Sequence, residues 1–249
     1  MGALISAIRF LTIVPVPGAD AEGPSALGRA AWWFPVVGLA LGSGLAGAGR
    51  VIDATLPPLV GAALLVALWK AVTGAIHLDG LADSLDGLAG RDAESRRAIM
   101  RDSRIGVFGA AGLVLFLVLS VTAVGALAGP ARSRLIVLAP AIGRVAPLLA
   151  GAWLAPATPG QGLGSAFAAG LSRWAGPIHA AAASALAAWL LGPWGVVIAL
   201  GSCSVAVLGA RIVAGRLGGL TGDVLGAVVE LAELGVLLGG AVALHRGLL

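Results

Sequence analysis

Charge is scarce in this chain: 11% of its 249 residues are Asp, Glu, Lys or Arg, against about 25% in an ordinary soluble domain. That scarcity excludes the usual solvated globular surface. Cysteine is scarcer still. With Cys203 alone, no intramolecular disulfide can form, and its apolar surroundings make it a small core residue. There is no Walker A sequence, no Cys/His zinc spacing and no nucleophile elbow, and three scattered histidines make no metal site. The net charge of +4 is spread over loops instead of forming a basic domain, so nucleic acid is not an expected partner.

What the chain has in abundance is apolar side chains, 59%, and glycine, 39 residues. A bilayer core about 30 Å thick needs roughly 20 mostly apolar residues per helical span. Seven such windows lie near 32–52, 58–78, 107–129, 135–155, 177–192, 193–214 and 224–244. The expected fold is therefore all-α: a polytopic helical bundle in the lipid bilayer, read as one domain over 1–249. The opening stretch "MGALISAIRFLTIVPVPGAD" is a poor secretory signal, because Arg9 interrupts its apolar run and Pro15 and Pro17 end it. It reads as an interfacial or re-entrant helix.

The positive-inside rule orients the bundle. Placing 79–106 in the cytoplasm puts ten basic residues inside: Arg9, Arg29, Arg91, Arg96, Arg97, Arg101, Arg104, Arg173, Arg211 and Arg216. Arg50, Arg132, Arg134 and Arg246 fall outside, and Lys70 and Arg144 within spans. This topology brings the carboxylates of 79–102 and the distant Asp223 to one membrane face. The carboxyl terminus is expected outside.

Against this apolar background "AIHLDGLADSLDGLAG" stands out. On a helix at ~100° per residue, Asp79, Asp83 and Asp86 share a sector about 60° wide. Like charges at i, i+4 destabilise a helix, and Gly80 and Gly87 each add roughly 1 kcal/mol against it. Mg²⁺ is the economical compensation, since it is held by one or two carboxylates together with substrate phosphates. A merely solvated helix end is the alternative. His77 points away from Asp79 and joins the cluster only if the helix breaks at Gly80.

In "RRAIMRDSRIGVFG", Arg97, Arg101 and Arg104 repeat the i, i+4, i+7 spacing, with Asp102 on another face. Guanidinium forks suit phosphate oxygens, so the stripe is a candidate pyrophosphate site; anchoring at lipid headgroups is the competing reading. Gly106 and Gly109 look like a flexible entry to the next span. In "LGGLTGDVLGAVVELAEL", Gly218, Gly219 and Gly222 open onto a helix whose N-terminus favours anions, and Thr221 or Asp223 alternatively serves as its N-cap. Glu230, Glu233 and Arg144 lie within spans, where ionisable groups pair or face a cavity; an Arg144–Glu230 pair is expected, with Lys70 snorkelling. Glycine-rich faces such as "GLALGSGLAGAG" permit close packing within or between protomers, so a homo-oligomer is open.

"HLDGLADSLDGL" resembles the hallmark of the cobalamin synthase family, the membrane adenosylcobinamide-GDP ribazoletransferases. "RFLTIVPVP", "WWFPVVGLALG", "IMRDSRIGVFG", "APAIGR" and "GGLTGDVLGA" resemble further blocks of that family, in order along nearly the whole chain. The resemblance implies that α-ribazole or α-ribazole 5′-phosphate attacks adenosylcobinamide-GDP, releasing GMP, with Mg²⁺ as cofactor, in the bacterial cytoplasmic membrane and on its cytoplasmic side. It makes Asp79, Asp83 and Asp86 the candidate metal ligands and adds Asp223 and His77 as catalytic candidates. Arg97, Arg101, Asp102, Ser103, Arg104, Arg144, Thr221 and Gly222 become the candidate substrate-binding residues. A CDP-alcohol phosphotransferase is the nearest rival, but its Asp-Gly pair is followed after two residues by Ala-Arg, and here Asp79-Gly80 is followed by Leu81-Ala82-Asp83. A transporter using the intramembrane charges is the other.

Overall fold

The computed structural model describes residues 1–249 as eleven helices. These are α1 Gly2–Leu11, α2 Ala26–Ala31, α3 Phe34–Thr55, α4 Pro58–Val72, α5 Ile76–Gly87, α6 Ala93–Met100, α7 Val107–Ala126, α8 Gly129–Trp153, α9 Gly162–Gly170, α10 Ala175–Leu217 and α11 Gly222–His245. A single parallel bridge joins Pro156 and Leu220 outside them. Five helices are long and apolar enough to cross a membrane, or up to six if the bent pair α4 and α5 is one span.

The 43 residues of α10 are not one rod. Gly192 takes φ 65° and ψ −156°, followed by Pro193, and a Cβ on Gly195 would meet the carbonyl of Ala187 at 2.2 Å. Residues eight apart on a straight helix stand about 12 Å apart along the axis. The two arms therefore fold back on each other, which accounts for the adjacent apolar windows read at 177–192 and 193–214.

The centre of the bundle is α8. Of its apolar window 78% is buried, against 28% for α7, so α7 offers most of its surface to lipid. Side chains such as Val114, Leu115, Val118 and Leu119 are exposed along it. α8 packs on α3, α10 and α11. The approach of α3 is close because it presents glycine: Cβ atoms on Gly38 and Gly42 would lie 2.3 and 2.4 Å from the carbonyl oxygens of Pro140 and Val137. Small residues that bring backbones together are the usual means of packing helices in lipid, where apolar burial gives no drive. Gly44 and Gly47 of the same run meet nothing.

The feature that builds the functional end is the break between α4 and α5. Gly74 and Ala75 both adopt left-handed φ, +61° and +54°, and the chain turns by 91°. The Thr73 hydroxyl donates to the carbonyls of Trp69 and Lys70, at 3.2 and 3.1 Å, where the ladder stops. Instead of continuing the 58–78 window, α5 crosses the start of α11 and reaches the start of α7. At the opposite end of the bundle Arg132 holds Asp53 through two bonds of 2.7 and 2.9 Å, and Arg134 donates to the carbonyl of Leu190. These local partners engage the arginine pair expected on the outer face.

Candidate active site

Helices α5 and α11 meet backbone to backbone. A Cβ on Gly80 would lie 2.7 Å from the carbonyl oxygen of Asp223, and one on Gly226 would lie 3.3 Å from Cα of His77. The glycines of "LDGLAD" and "GDVLGA" are thus needed for the crossing itself. It brings Asp79 and Asp83 beside Asp223, and the charges of Asp79, Asp223 and Asp86 all act on half-buried Asp83. The gathering of the early aspartates with Asp223 at one end of the bundle is as the topology requires.

Two cavities of about 290 Å³ each open at this crossing. One is largely apolar, walled by Phe10, Phe34, Phe167 and Leu225, and bordered by His77, Asp79 and Asp223. The other is polar, with Arg97, Arg101, Thr158, Gln161 and Thr221 around the N-terminal ends of α9 and α11. Leu163, Gly222 and Asp223 line both. His77 reaches the apolar cavity although α5 runs unbroken through Gly80, because the cavity wraps the first turn of that helix.

Asp86 has another employment. It is buried, and its two oxygens accept the N–H groups of Gly106 and Gly109, both at 2.8 Å. Cβ atoms on those glycines would lie 2.4 and 2.3 Å from the carboxylate. Asp86 shares a helical face with Asp79 and Asp83, but at its level of α5 the neighbour is the start of α7, where free N–H groups and the dipole attract an anion. Gly106 and Gly109 are therefore a docking seat for Asp86 and not a flexible hinge. No three His, Cys, Asp or Glu side chains are arranged to hold a metal ion, so the Asp79, Asp83, Asp86 triplet is not a ready-made cage.

The basic stripe is also rearranged. α6 ends at Met100 with i→i−3 bonds from Arg101 and Asp102, so Arg104 leaves the face shared by Arg97 and Arg101. Arg104 instead binds Asp102 at 2.7 Å in an exposed loop; that bond holds the Asp102 carboxyl down to about 2. Ser103 is exposed beside them. Arg97 and Arg96 donate to the carbonyls of Leu217 and Arg216, the latter at 3.1 Å, closing the C-terminus of α10 where cations are favoured. Of the three stripe residues, Arg97 and Arg101 line the polar cavity. Thr221 caps α11, its hydroxyl accepting from Val224 N–H at 3.2 Å, so that reading of Thr221 holds, and the residue also lines the polar cavity.

Deeper in the bundle, Arg144 pairs with Glu233 and not with Glu230. Lys70 does not snorkel: it is 8% exposed and bonds Glu230 and, at 3.0 Å, Glu233. The expected pairing was off by one helical turn, since Glu230 and Glu233 lie on one face of α11 and the sequence does not say which level α8 reaches. Gly143 meets Glu233 directly, its Cβ position 2.7 Å from Cγ. Arg144 is thus part of a buried ion network and lines neither cavity.

Sequence reasoning missed α9. The segment 156–176 reads as a cytoplasmic loop, yet it supplies Thr158, Gln161, Leu163 and Phe167 to the two cavities. Its hold on the rest is backbone-close: Cβ atoms on Gly164 and Gly219 would lie 2.5 Å from the Leu220 carbonyl and 2.6 Å from Ala157. The available signal was the recurrent small residues of "PGQGLGSAFAAG".

The model of the cobalamin-5-phosphate synthase family matches residues 3–241. The chain belongs to that family. It is 42% identical over 234 residues to an adenosylcobinamide-GDP ribazoletransferase of Pseudomonas paraeruginosa, covering 89% of this chain and 90% of that protein. It is 38% identical over 245 residues to one of Stutzerimonas stutzeri, covering 98% and 99%, and 40% identical over 220 residues to one of Roseiflexus sp., covering 87% and 81%. No solved structure matches the chain.

Proposed function

We propose that this chain is the transferase that joins adenosylcobinamide-GDP to α-ribazole or its 5′-phosphate, releasing GMP, at the cytoplasmic face of the bacterial inner membrane. A ribazole hydroxyl oxygen attacks the phosphorus that carries the cobinamide. The new P–O bond forms as the bond to the GMP oxygen breaks, and the hydroxyl proton passes to a carboxylate. The observation that carries the reading is the junction at Asp223, the one carboxylate that lines both cavities.

We assign the proton to Asp223 because it lines both cavities, and general-base work requires reach to the attacking hydroxyl before any tuning of affinity. Arg97, Arg101 and the free N–H groups at the start of α11 are placed for the diphosphate. Phosphoryl transfer depends mainly on such positioning and charge stabilisation. The residues fit Mg²⁺ in a restricted way: Asp79 and Asp83, one turn apart, would hold it together with phosphate oxygens, and its charge would offset that developing on the leaving GMP. Asp86 positions α5 against α7, its two oxygens engaged by the N–H groups of Gly106 and Gly109. The rival readings fit less well: the CDP-alcohol pattern is incomplete, and the deep charges that a transporter would use are already paired with one another.

The test is GMP release from adenosylcobinamide-GDP by the purified protein in lipid, with and without α-ribazole 5′-phosphate and Mg²⁺. Release is expected only with all components present. Absence of release from a folded preparation contradicts the proposal.

A further inference from the structure

We infer that the apolar cavity between α1, α3, α5, α9 and α11 is the subsite for the aromatic base of the acceptor nucleoside, with Leu163 as the partition between it and the phosphate-binding cavity. The inference rests on the transferase reading for the identity of its occupant and on the cavity's own chemistry for the choice among occupants.

The wall is aromatic and stiff. Phe10 stacks on Phe34 with ring centroids 5.6 Å apart, and Phe34 meets Phe167 at 6.1 Å. Phe34 and Phe167 are 3% and 1% exposed, so both rings are fixed by packing. Leu11, Leu27 and Val229 complete an apolar surround. The polar groups, His77, Asp79 and Asp223, come from the neighbouring turns of α5 and α11. A ligand suited to this space has a flat apolar body and a hydroxylated end directed at Asp223.

Each reactant fragment can be judged against that description. Guanine carries several donors and acceptors, and an apolar wall would leave them unpaired at about 1–3 kcal/mol each. A corrin is far too large for about 290 Å³. A benzimidazole ribonucleoside has both required features: a flat aromatic body that suits a wall closed by half-buried Phe10 and apolar side chains, and a sugar whose hydroxyls reach the carboxylates. With the base in the apolar cavity and the diphosphate beside Arg97 and Arg101, hydroxyl and phosphorus meet at Asp223.

Leu163 stands where the two halves join. It lines both cavities and packs on Gly222, whose Cβ position is 2.9 Å from Cβ of Leu163. Its side chain is 49% exposed, so it can be changed without opening the core. Ile76, 38% exposed at the other edge of the apolar cavity, is a second such position.

The experiment has a binding arm and a kinetic arm, both on the full chain in lipid nanodiscs. Without donor, α-ribazole is expected to raise the thermal midpoint and guanosine to leave it unchanged. Ile76→Trp, which fills the cavity, should weaken α-ribazole binding at least tenfold. In turnover the same variant should raise the KM for α-ribazole 5′-phosphate at least tenfold and change that for adenosylcobinamide-GDP by less than twofold. Leu163→Ala should shift the acceptor KM in the same selective way, and serves if Ile76→Trp does not fold. A shift by guanosine in place of α-ribazole, displacement of α-ribazole by a fatty acyl chain alone, or equal changes in both KM values would overturn the inference. α-Ribazole binding without any GMP release would instead sink the transferase reading and leave the subsite standing.

Discussion

Five carboxylates of α5 and α11 meet opposite fates within a few turns of each other. Glu230 and Glu233, each 1% exposed, are matched by Lys70 and Arg144. Asp79 and Asp223 border the apolar cavity, half-buried Asp83 stands within reach of their charges, and none of the three takes part in a salt bridge. The deep pair is balanced by charges the chain supplies, as it must be in lipid. The aspartate group has no such partner in the chain, and under the proposed function it meets a ligand instead. Ion pairing inside the bundle thus describes architecture, and the proposed function assigns the chemistry to the carboxylates that lack it.

Removing a partner should separate these roles. Glu233→Gln leaves Arg144 buried without its counter-charge, and breaking a buried pair in this way costs about 3–5 kcal/mol. Thermal unfolding in detergent or nanodiscs should show the largest loss of any single change considered, and a midpoint within a degree of wild type would break the distinction. Arg144→Met with Glu233→Gln together should recover much of the loss, since both charges are then gone.

Asp86→Asn sharpens the comparison from inside the aspartate motif itself. It weakens a charge-assisted seat for two N–H groups, with hydrogen bonds to charged groups worth about 1.5–3 kcal/mol. The expected result is a lower unfolding midpoint, with turnover per folded molecule falling far less than in Asp79→Asn. Selective loss of Mg²⁺ dependence in Asp86→Asn would return it to the metal site. The smallest effect belongs to Thr221→Ala, a lost N-cap of roughly 1 kcal/mol, measurable as a modest drop in midpoint with the acceptor KM retained.

Much of this was legible because lipid imposes simple rules. Apolar windows and the side preference of arginine place the helices and bring Asp223 to the aspartates of α5. What periodicity did not disclose are contacts set by where helices end. Asp86 looks like its neighbours until α7 is seen to begin beside it, 20 residues later. Arg104 continues the stripe only if α6 continues, and α6 stops at Met100. Glu230 and Glu233 are equivalent on a helical wheel, so the level of α8 alone decides which one Arg144 meets. The 91° turn at Gly74 and Ala75 left a trace of one glycine in the sequence. The α9 segment, short and rich in small residues, gave no hydrophobic signal that separates a cavity wall from a loop.

The most direct measurement sets unfolding beside turnover for Asp83→Asn in lipid. If the unpaired aspartates await a ligand, removing one of their mutual repulsions leaves the unfolding midpoint unchanged or higher, while GMP release falls at least about 100-fold, equivalent to roughly 2.7 kcal/mol of barrier. A midpoint lowered as far as in Glu233→Gln, with turnover per folded molecule intact, would make Asp83 part of the scaffold and contradict the account.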